Sequence, residues 1–428
     1  MSSLLRTFVR PLAIRAMLLR EWWQSGVTYN PLSPHVYLNP YAKYAVLRAK
    51  DPVHWSPLME SWVVARYAHV DAIMRDHKRF SSDPRPRQRT RAPRTTVDNP
   101  GGQSMLFLDP PDHTRLRALV STAFTPQAIA ALTPRIQAIV QELLDQIPEP
   151  SHFDIIDALA NPLPGIVMAE LLGIPAQDRA QFKHWSNRRA RVLEPTITAS
   201  EIQEANRAAY ELDDYFRGVI SARRREPRDD LISTLVAAEE AGDKLTQDEL
   251  LVMLRLLLIA GNETTTNLIG NGMLALLRHP EQLQRLREHP ELMDTAVEEL
   301  LRYDTPVQVD ARTVLEDVDI GGRHITKGQG IVLLLGAANH DPEVFSDPER
   351  LDLTRREASH LSFGRGLHHC LGALLARAEA RLAFAGLLER FSDMRLLTQH
   401  PPFKDNVVLR GLKALPISTT PARVFSVT

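Results

Sequence analysis

Between residues 111 and 302 apolar and polar positions follow a helical period almost without a break. The stretches 168–176, 200–224 and 246–278 repeat apolar residues at i, i+3, i+4 and i+7, which lays one apolar stripe along a helix. On either side of this block the texture changes. Residues 53–55 and 62–65 read as short strands joined by a Pro-containing turn, and 331–335 as a short buried strand. Residues 319–325 read as a hairpin turning over Gly321 and Gly322. Helix returns at 371–390, rich in Ala, Leu and Arg. The pattern predicts a mainly α protein with a minor β part. No repeat period or low-complexity linker divides it.

One helix stands out. Thr246-Gln247-Asp248-Glu249 is a capping box, and Pro280 marks the end. At ~1.5 Å rise per residue such a helix is roughly 50 Å long, enough to cross a large domain. From Leu250 to Ala260 it is apolar nearly all round, apart from Arg255, so it is expected to be buried on most faces. Then Gly261-Asn262-Glu263-Thr264-Thr265-Thr266-Asn267 interrupts it. Burying these groups without partners costs several kcal/mol. Thr hydroxyls also compete for backbone carbonyls. A locally opened helix with a polar groove is expected, and it serves equally as a structural seam or as part of a site.

Composition narrows the chemistry. The chain has 428 residues, 44% hydrophobic and 24% charged, with a formal net charge of −1. That balance gives no reason to expect a nucleic-acid partner. The single cysteine, Cys370, excludes an intrachain disulfide, a multi-cysteine zinc site, a four-cysteine iron–sulfur cluster and a CxxC redox motif. An inert thiol, a nucleophile or one metal ligand remains. The skew to arginine over lysine carries no functional weight.

Residues 3–23 are apolar but include Arg6, Arg10, Arg15 and Arg20, too many charges for a spanning helix. They also lack the cleavage site of a secretory signal. A first helix packed on the body fits, as does a basic amphipathic segment lying on a membrane surface or acting as an organellar presequence. A soluble, cytoplasmic protein is expected. The loop 84–104 is rich in Pro, Gly and Arg, with five arginines between Arg85 and Arg94. It reads as a solvated loop or as a mouth that attracts an anionic substrate.

The most specific stretch runs from Phe363 to Gly372. Gly364 and Gly366 permit a tight loop with close backbone approach. Cys370 sits at the start of a helix, where backbone N–H groups favour a thiolate. Gly372 removes a side chain where a large group could press. A thiolate so placed could ligate iron. A cysteine nucleophile with His368 or His369 as base, and a zinc site from His360, His368, His369 and Cys370, are the rival readings.

These residues resemble the haem-binding loop of cytochromes P450, FxxGxxxCxG, here Phe363, Gly366, Cys370 and Gly372. Ala260-Gly261-Asn262-Glu263-Thr264-Thr265 is similar to that family's (A/G)Gx(D/E)T(T/S) helix motif. Glu299-Leu300-Leu301-Arg302 matches ExxR, with Arg350 as its third member. Residues 109–117 look like the family's C-helix entry. The order is the family's, and the resemblance covers roughly residues 35–420. It implies a single catalytic domain over 35–428, with residues 1–34 as a basic amphipathic extension. The implied fold buries haem b between the long central helix and the cysteine-loop helix.

The resemblance also implies roles. Cys370 would be the axial iron ligand. Glu263 and Thr264 would deliver protons to O₂. His113, Arg117, Arg312 and His368 would hold the propionates. Phe363, Gly364, Gly366, Gly372, Ala260 and Gly261 would line the haem. Glu299, Arg302 and Arg350 would form a buried network behind the loop. Val309, Ala311, Val407 and Val408 would touch an apolar substrate, together with Ala260 and the 84–108 loop. The implied activity is oxygen insertion by a monomeric monooxygenase. NAD(P)H would supply electrons through a reductase and a separate ferredoxin or flavodoxin-type donor, docking near Arg115, Arg377 and Arg381. A peroxide-driven haem enzyme and a non-catalytic haem protein are the alternatives.

Overall fold

A computed structural model describes residues 2–88, 99–240, 245–357 and 359–420. The expected small strands form around three pairings. β1 (Val53–Ser56) and β2 (Ser61–Val64) make an antiparallel hairpin. The other strands are β3 (Phe80–Ser81), β4 (His152–Asp154), β5 (Val309–Val314), β6 (Val318–Ile320), β7 (Arg323–Ile325), β8 (Gly330–Leu334), β9 (Arg395–Leu396) and β10 (Pro416–Ser418). The main sheet has the order β1-β2-β8-β5-β3, with β2 and β8 parallel. β6 and β7 pair over Gly321 and Gly322, as the sequence predicts. β4-β10-β9 forms a separate three-stranded sheet.

Helices make up the larger part. α1 spans Ser2–Ser25, α2 Asp112–Ser121, α3 Pro126–Asp145, α4 Pro162–Leu171, α5 Arg179–Ala190 and α6 Ala199–Arg225. α7 (Gln247–Arg278), α8 (Met293–Tyr303) and α9 (Ala373–Arg390) form the centre. α4 ends at Leu171, so the helical reading of 168–176 overran it by more than one turn. β4 also interrupts the block read as all helix. Its three residues pair with β10 near the other end of the chain, a contact that local periodicity cannot show.

α7 is the axis of the core. Both bonds of its capping box are present: Thr246 Oγ1 accepts from the Glu249 N–H, and the Glu249 carboxylate accepts from the Thr246 N–H. α4, α5, α8 and α9 pack around it, which explains the apolar run from Leu250 to Leu258. The polar interruption does not open the helix. Thr264 Oγ1 donates to the Ala260 carbonyl at 2.9 Å and Thr266 Oγ1 to Asn262 at 3.1 Å, in addition to the helix's own bonds. Neighbouring elements pair part of the seam, while Asn262 Oδ1, Asn267 Nδ2 and Asn271 Oδ1 stay buried with no hydrogen-bond partner among the described residues. Asn262 Nδ2 donates to Ser186 Oγ, and Asn271 Nδ2 to the Arg410 carbonyl.

Candidate active site

The cysteine loop is held from inside and from behind. The Cys370 N–H donates to the Phe363 carbonyl at 2.8 Å, closing the loop on itself. Gly364 and Gly366 adopt φ of +68° and +67°. A Cβ on Gly366 would meet the Met74 carbonyl oxygen at 2.5 Å, so only glycine lets the loop lie against the end of the helix holding Met74. Arg377, on the first turns of α9, stacks 4.5 Å from the Phe363 ring centroid. Glu298 grips Arg377 through two bonds of 2.6 and 2.9 Å. Burial works against the Glu298 charge, but Arg377 and His360 outweigh it and hold the carboxyl near a pKa of about 2.

Cys370 has accessible surface. Yet burial among protein atoms is the main cause raising its thiol pKa, opposed by the Gly372 N–H, Arg117 and Arg377. Both observations hold for a side chain that faces an internal cleft. Gly372 opens on the same kind of space, since a Cβ there would meet nothing within 4 Å. Ala260 and Ala311 are exposed in otherwise buried elements.

Three separate segments bring two arginines and two histidines together beside this loop. His113 and Arg117 come from α2, Arg312 from β5 and His368 from the loop itself. The His113 and His368 rings lie 4.2 Å apart. Arg117 Nη2 donates to the His369 carbonyl at 2.7 Å. The His368 pKa is pushed down to about 3, first by burial and then by His113, Arg312 and Arg117. His113 is lowered by burial and by Arg117. Arg312 is partly balanced by Asp310 at 2.9 Å. His113 Nδ1 and His368 Nε2 are buried without a hydrogen-bond partner. Such a cluster repels itself and wants an anion. The carboxylates of a haem fit it, as the open space at Gly372 and Cys370 fits a flat ring.

The structure corrects several expectations. Arg350 enters the buried network only through its backbone carbonyl, which accepts from Arg302 at 3.3 Å and from Arg355 at 3.2 Å. Its side chain is 65% exposed and pairs with Asp352. Arg355, 8% exposed, takes the third place, at 3.1 Å from Glu299. Glu299 and Arg302 form the expected pair, with bonds of 2.7 and 2.8 Å. Gly261 faces away from the cleft: a Cβ there would meet Met168 Sδ at 2.8 Å, so this glycine lets α4 close on α7. Arg115 is engaged by Glu249 and Asp112, and Arg377 by Glu298, which leaves Arg381 the more open of the three docking arginines. In the 84–104 loop, Arg85 pairs with Asp83, and Arg87 donates to Met59, Glu60 and Ser61. Arg89, Arg91 and Arg94 lie outside the described residues.

Two residues escaped the sequence reading. Lys404 Nζ donates to Glu263 Oε1 at 2.6 Å and to Asn267 Oδ1 at 3.4 Å. Glu194, 2% exposed, accepts from the N–H groups of Val407, Val408 and Leu409 at 2.6, 3.0 and 2.8 Å. It therefore fixes the turn carrying Val407 and Val408. The Gln308 N–H donates to the Val408 carbonyl, which brings that turn beside Val309 and Ala311 at the start of β5. No local pattern could reveal either contact, because each joins residues more than a hundred positions apart. If Glu263 has the proton-delivery role that the resemblance implies, Lys404→Gln is expected to leave haem content unchanged and to lower product formed per NAD(P)H by about three- to tenfold. That is a part of the ~10²–10⁴ that a positioned acid or base contributes. NAD(P)H consumption measured against product checks it.

The family described as Cytochrome P450 matches residues 52–416. The cytochrome P450 CYP107DY1 of Priestia megaterium is 42% identical over 369 residues, 83% of this chain and 89% of that protein. The biotin biosynthesis cytochrome P450 of Bacillus subtilis is 41% identical over 382 residues, 89% of this chain and 96% of that protein. The crystal structure of P450BioI with an acyl carrier protein ligated to hexadec-9Z-enoic acid superposes with a TM-score of 0.84 at 39% identity. It covers 90% of this chain and 99% of that one. Among the described residues no helix is long and apolar enough to cross a membrane.

Proposed function

The chain belongs to the cytochrome P450 family of monooxygenases, and on that premise we propose that it inserts one oxygen atom into a C–H or C=C bond of an apolar organic molecule. The observation that carries this reading is the cluster of basic side chains His113, Arg117, Arg312 and His368, with two imidazole nitrogens left unpaired, converging beside a cysteine with accessible surface. Haem held by a thiolate supplies the activation of O₂ with two electrons. Cys370 would be the thiolate donor. His113, Arg117, Arg312 and His368 would hold the propionates, which would give the unpaired imidazole nitrogens partners.

Thr264 and Glu263 handle protons. The Thr264 hydroxyl donates to the Ala260 carbonyl, which leaves its oxygen free to accept. Glu263 sits one residue away, held by Lys404, on the side of the helix that meets the 403–411 segment. Ala260, Val309, Ala311, Val407 and Val408 offer the substrate apolar surface and exclude water. Electrons originate in NAD(P)H and arrive through a separate ferredoxin or flavodoxin-type donor.

Thr264→Ala tests the proton role. It is expected to keep the substrate-induced spin shift and to cut product per NAD(P)H by roughly tenfold or more, the balance appearing as hydrogen peroxide. Full coupling in that variant would remove Thr264 from proton delivery.

A further inference from the structure

The helix before the matched span has a face that the catalytic domain does not use. α1 ends at Ser25, followed by Gly26. Its last three turns have one inward side, with Ile14, Met17, Leu18 and Ser25 half-buried and Glu21 1% exposed. Glu21 Oε1 meets His54 Nε2 at 2.6 Å, and His54 Nδ1 meets Asp51 Oδ2 at 2.9 Å. Asp51 in turn accepts from Arg323 at 3.0 Å. This buried relay fixes the roll of the helix about its axis. The opposite side must then point outward.

That outward side is apolar where solvent would favour polar groups. Leu19, Trp22 and Trp23 are 62%, 55% and 83% exposed. Their spacing of three and four residues puts them on one face. Arg15 and Arg20, both exposed, flank them. The charge is one-sided. Residues 1–25 carry Arg6, Arg10, Arg15 and Arg20 against a single acid, Glu21, whose carboxylate is sequestered by His54. The whole chain has a net charge of −1, so the remainder is negative. An anionic surface would attract this helix and repel the body behind it.

We propose that α1 seats the enzyme on an anionic lipid surface, with Leu19, Trp22 and Trp23 entering the headgroup boundary and Arg15 and Arg20 contacting acidic headgroups. Tryptophan suits that boundary because its ring is apolar and its N–H is polar. Arginines around an apolar stripe make a helix that lies in the interface plane rather than across it. The Glu21–His54–Asp51 relay makes the seat rigid, so the body takes one orientation on the surface. An apolar substrate partitioned into the bilayer would thereby be within reach.

The test uses the full-length holoenzyme and vesicles, either pure phosphatidylcholine or equal parts phosphatidylcholine and phosphatidylglycerol. The protein is expected to sediment with the mixed vesicles at low salt and to remain in solution with the neutral ones. Arg15→Gln with Arg20→Gln should weaken partitioning roughly 25-fold, about fivefold for each arginine. Trp22→Ser with Trp23→Ser should abolish sedimentation, with haem content and the reduced carbonyl spectrum unchanged as the control for folding. Failure of the native enzyme to sediment with acidic vesicles would overturn the proposal. So would sedimentation unaffected by loss of the tryptophans. A concentration-dependent dimer that the tryptophan substitutions dissociate, seen without lipid, would assign the face to a second copy of the chain and overturn it as well.

Discussion

Arg302→Leu is expected to destabilise the protein by about 3–5 kcal/mol, because it removes the two-bond partner of buried Glu299, leaving that carboxylate to Arg355 alone, and takes the donor from buried carbonyls. Arg302 is 1% exposed. Its guanidinium donates to both Glu299 oxygens and to the carbonyls of Asn339 and Pro348 at 2.9 and 2.8 Å. It also lies over the Phe345 ring. Asn339 carries the restraint onward: its Oδ1 accepts from the Leu361 N–H at 2.7 Å, and its Nδ2 donates to Ser362 Oγ at 2.9 Å. Leu361 and Ser362 lead directly into Phe363 and the cysteine loop. Loss of Arg302 should therefore loosen the loop as well as the fold, and both denaturant midpoint and haem content should fall.

The same network separates two arginines that sequence cannot tell apart. Arg355→Ala should cost less than Arg302→Leu but clearly more than Arg350→Ala. The Arg350 side chain is exposed, and an exposed ion pair contributes about 0–1 kcal/mol. Equal effects of the Arg350 and Arg355 substitutions in urea unfolding would contradict the assignment.

Much of the site was legible because its signals are local. A capping box, a Gly-Gly hairpin and a glycine-flanked cysteine each act over a few residues, so spacing is enough to find them. The departures have a shared cause: the deciding partner is distant in sequence. Arg350 and Arg355 close successive turns, begun by Asp347 and Asp352, and only tertiary packing decides which side chain enters the Glu299 site. Thr264 and Thr266 were expected to open α7. Their hydroxyls instead bond to carbonyls one turn back, while Ser186, Lys404 and the Arg410 carbonyl pair with some of the remaining polar groups. Glycine at 261 signals closeness, but the pattern cannot say to what. Here it is Met168. The basic cluster lies between these extremes. His113 and Arg117 share one face of α2, yet their meeting with Arg312 and His368 depends on the fold.

Cys370, proposed as the thiolate donor to haem iron, has no understudy. The chain contains one cysteine in 428 residues. The loop around it is closed by its own N–H, braced by Arg377 on Phe363, and faces a cleft. The most direct measurement is the absorption spectrum of the reduced carbonyl complex in the native protein and in Cys370→Ser. The native protein should show the red-shifted Soret band of a thiolate-ligated haem, and the variant should lack it and lose monooxygenase activity entirely. A red-shifted band persisting in Cys370→Ser would contradict the account, since no other residue could supply the thiolate.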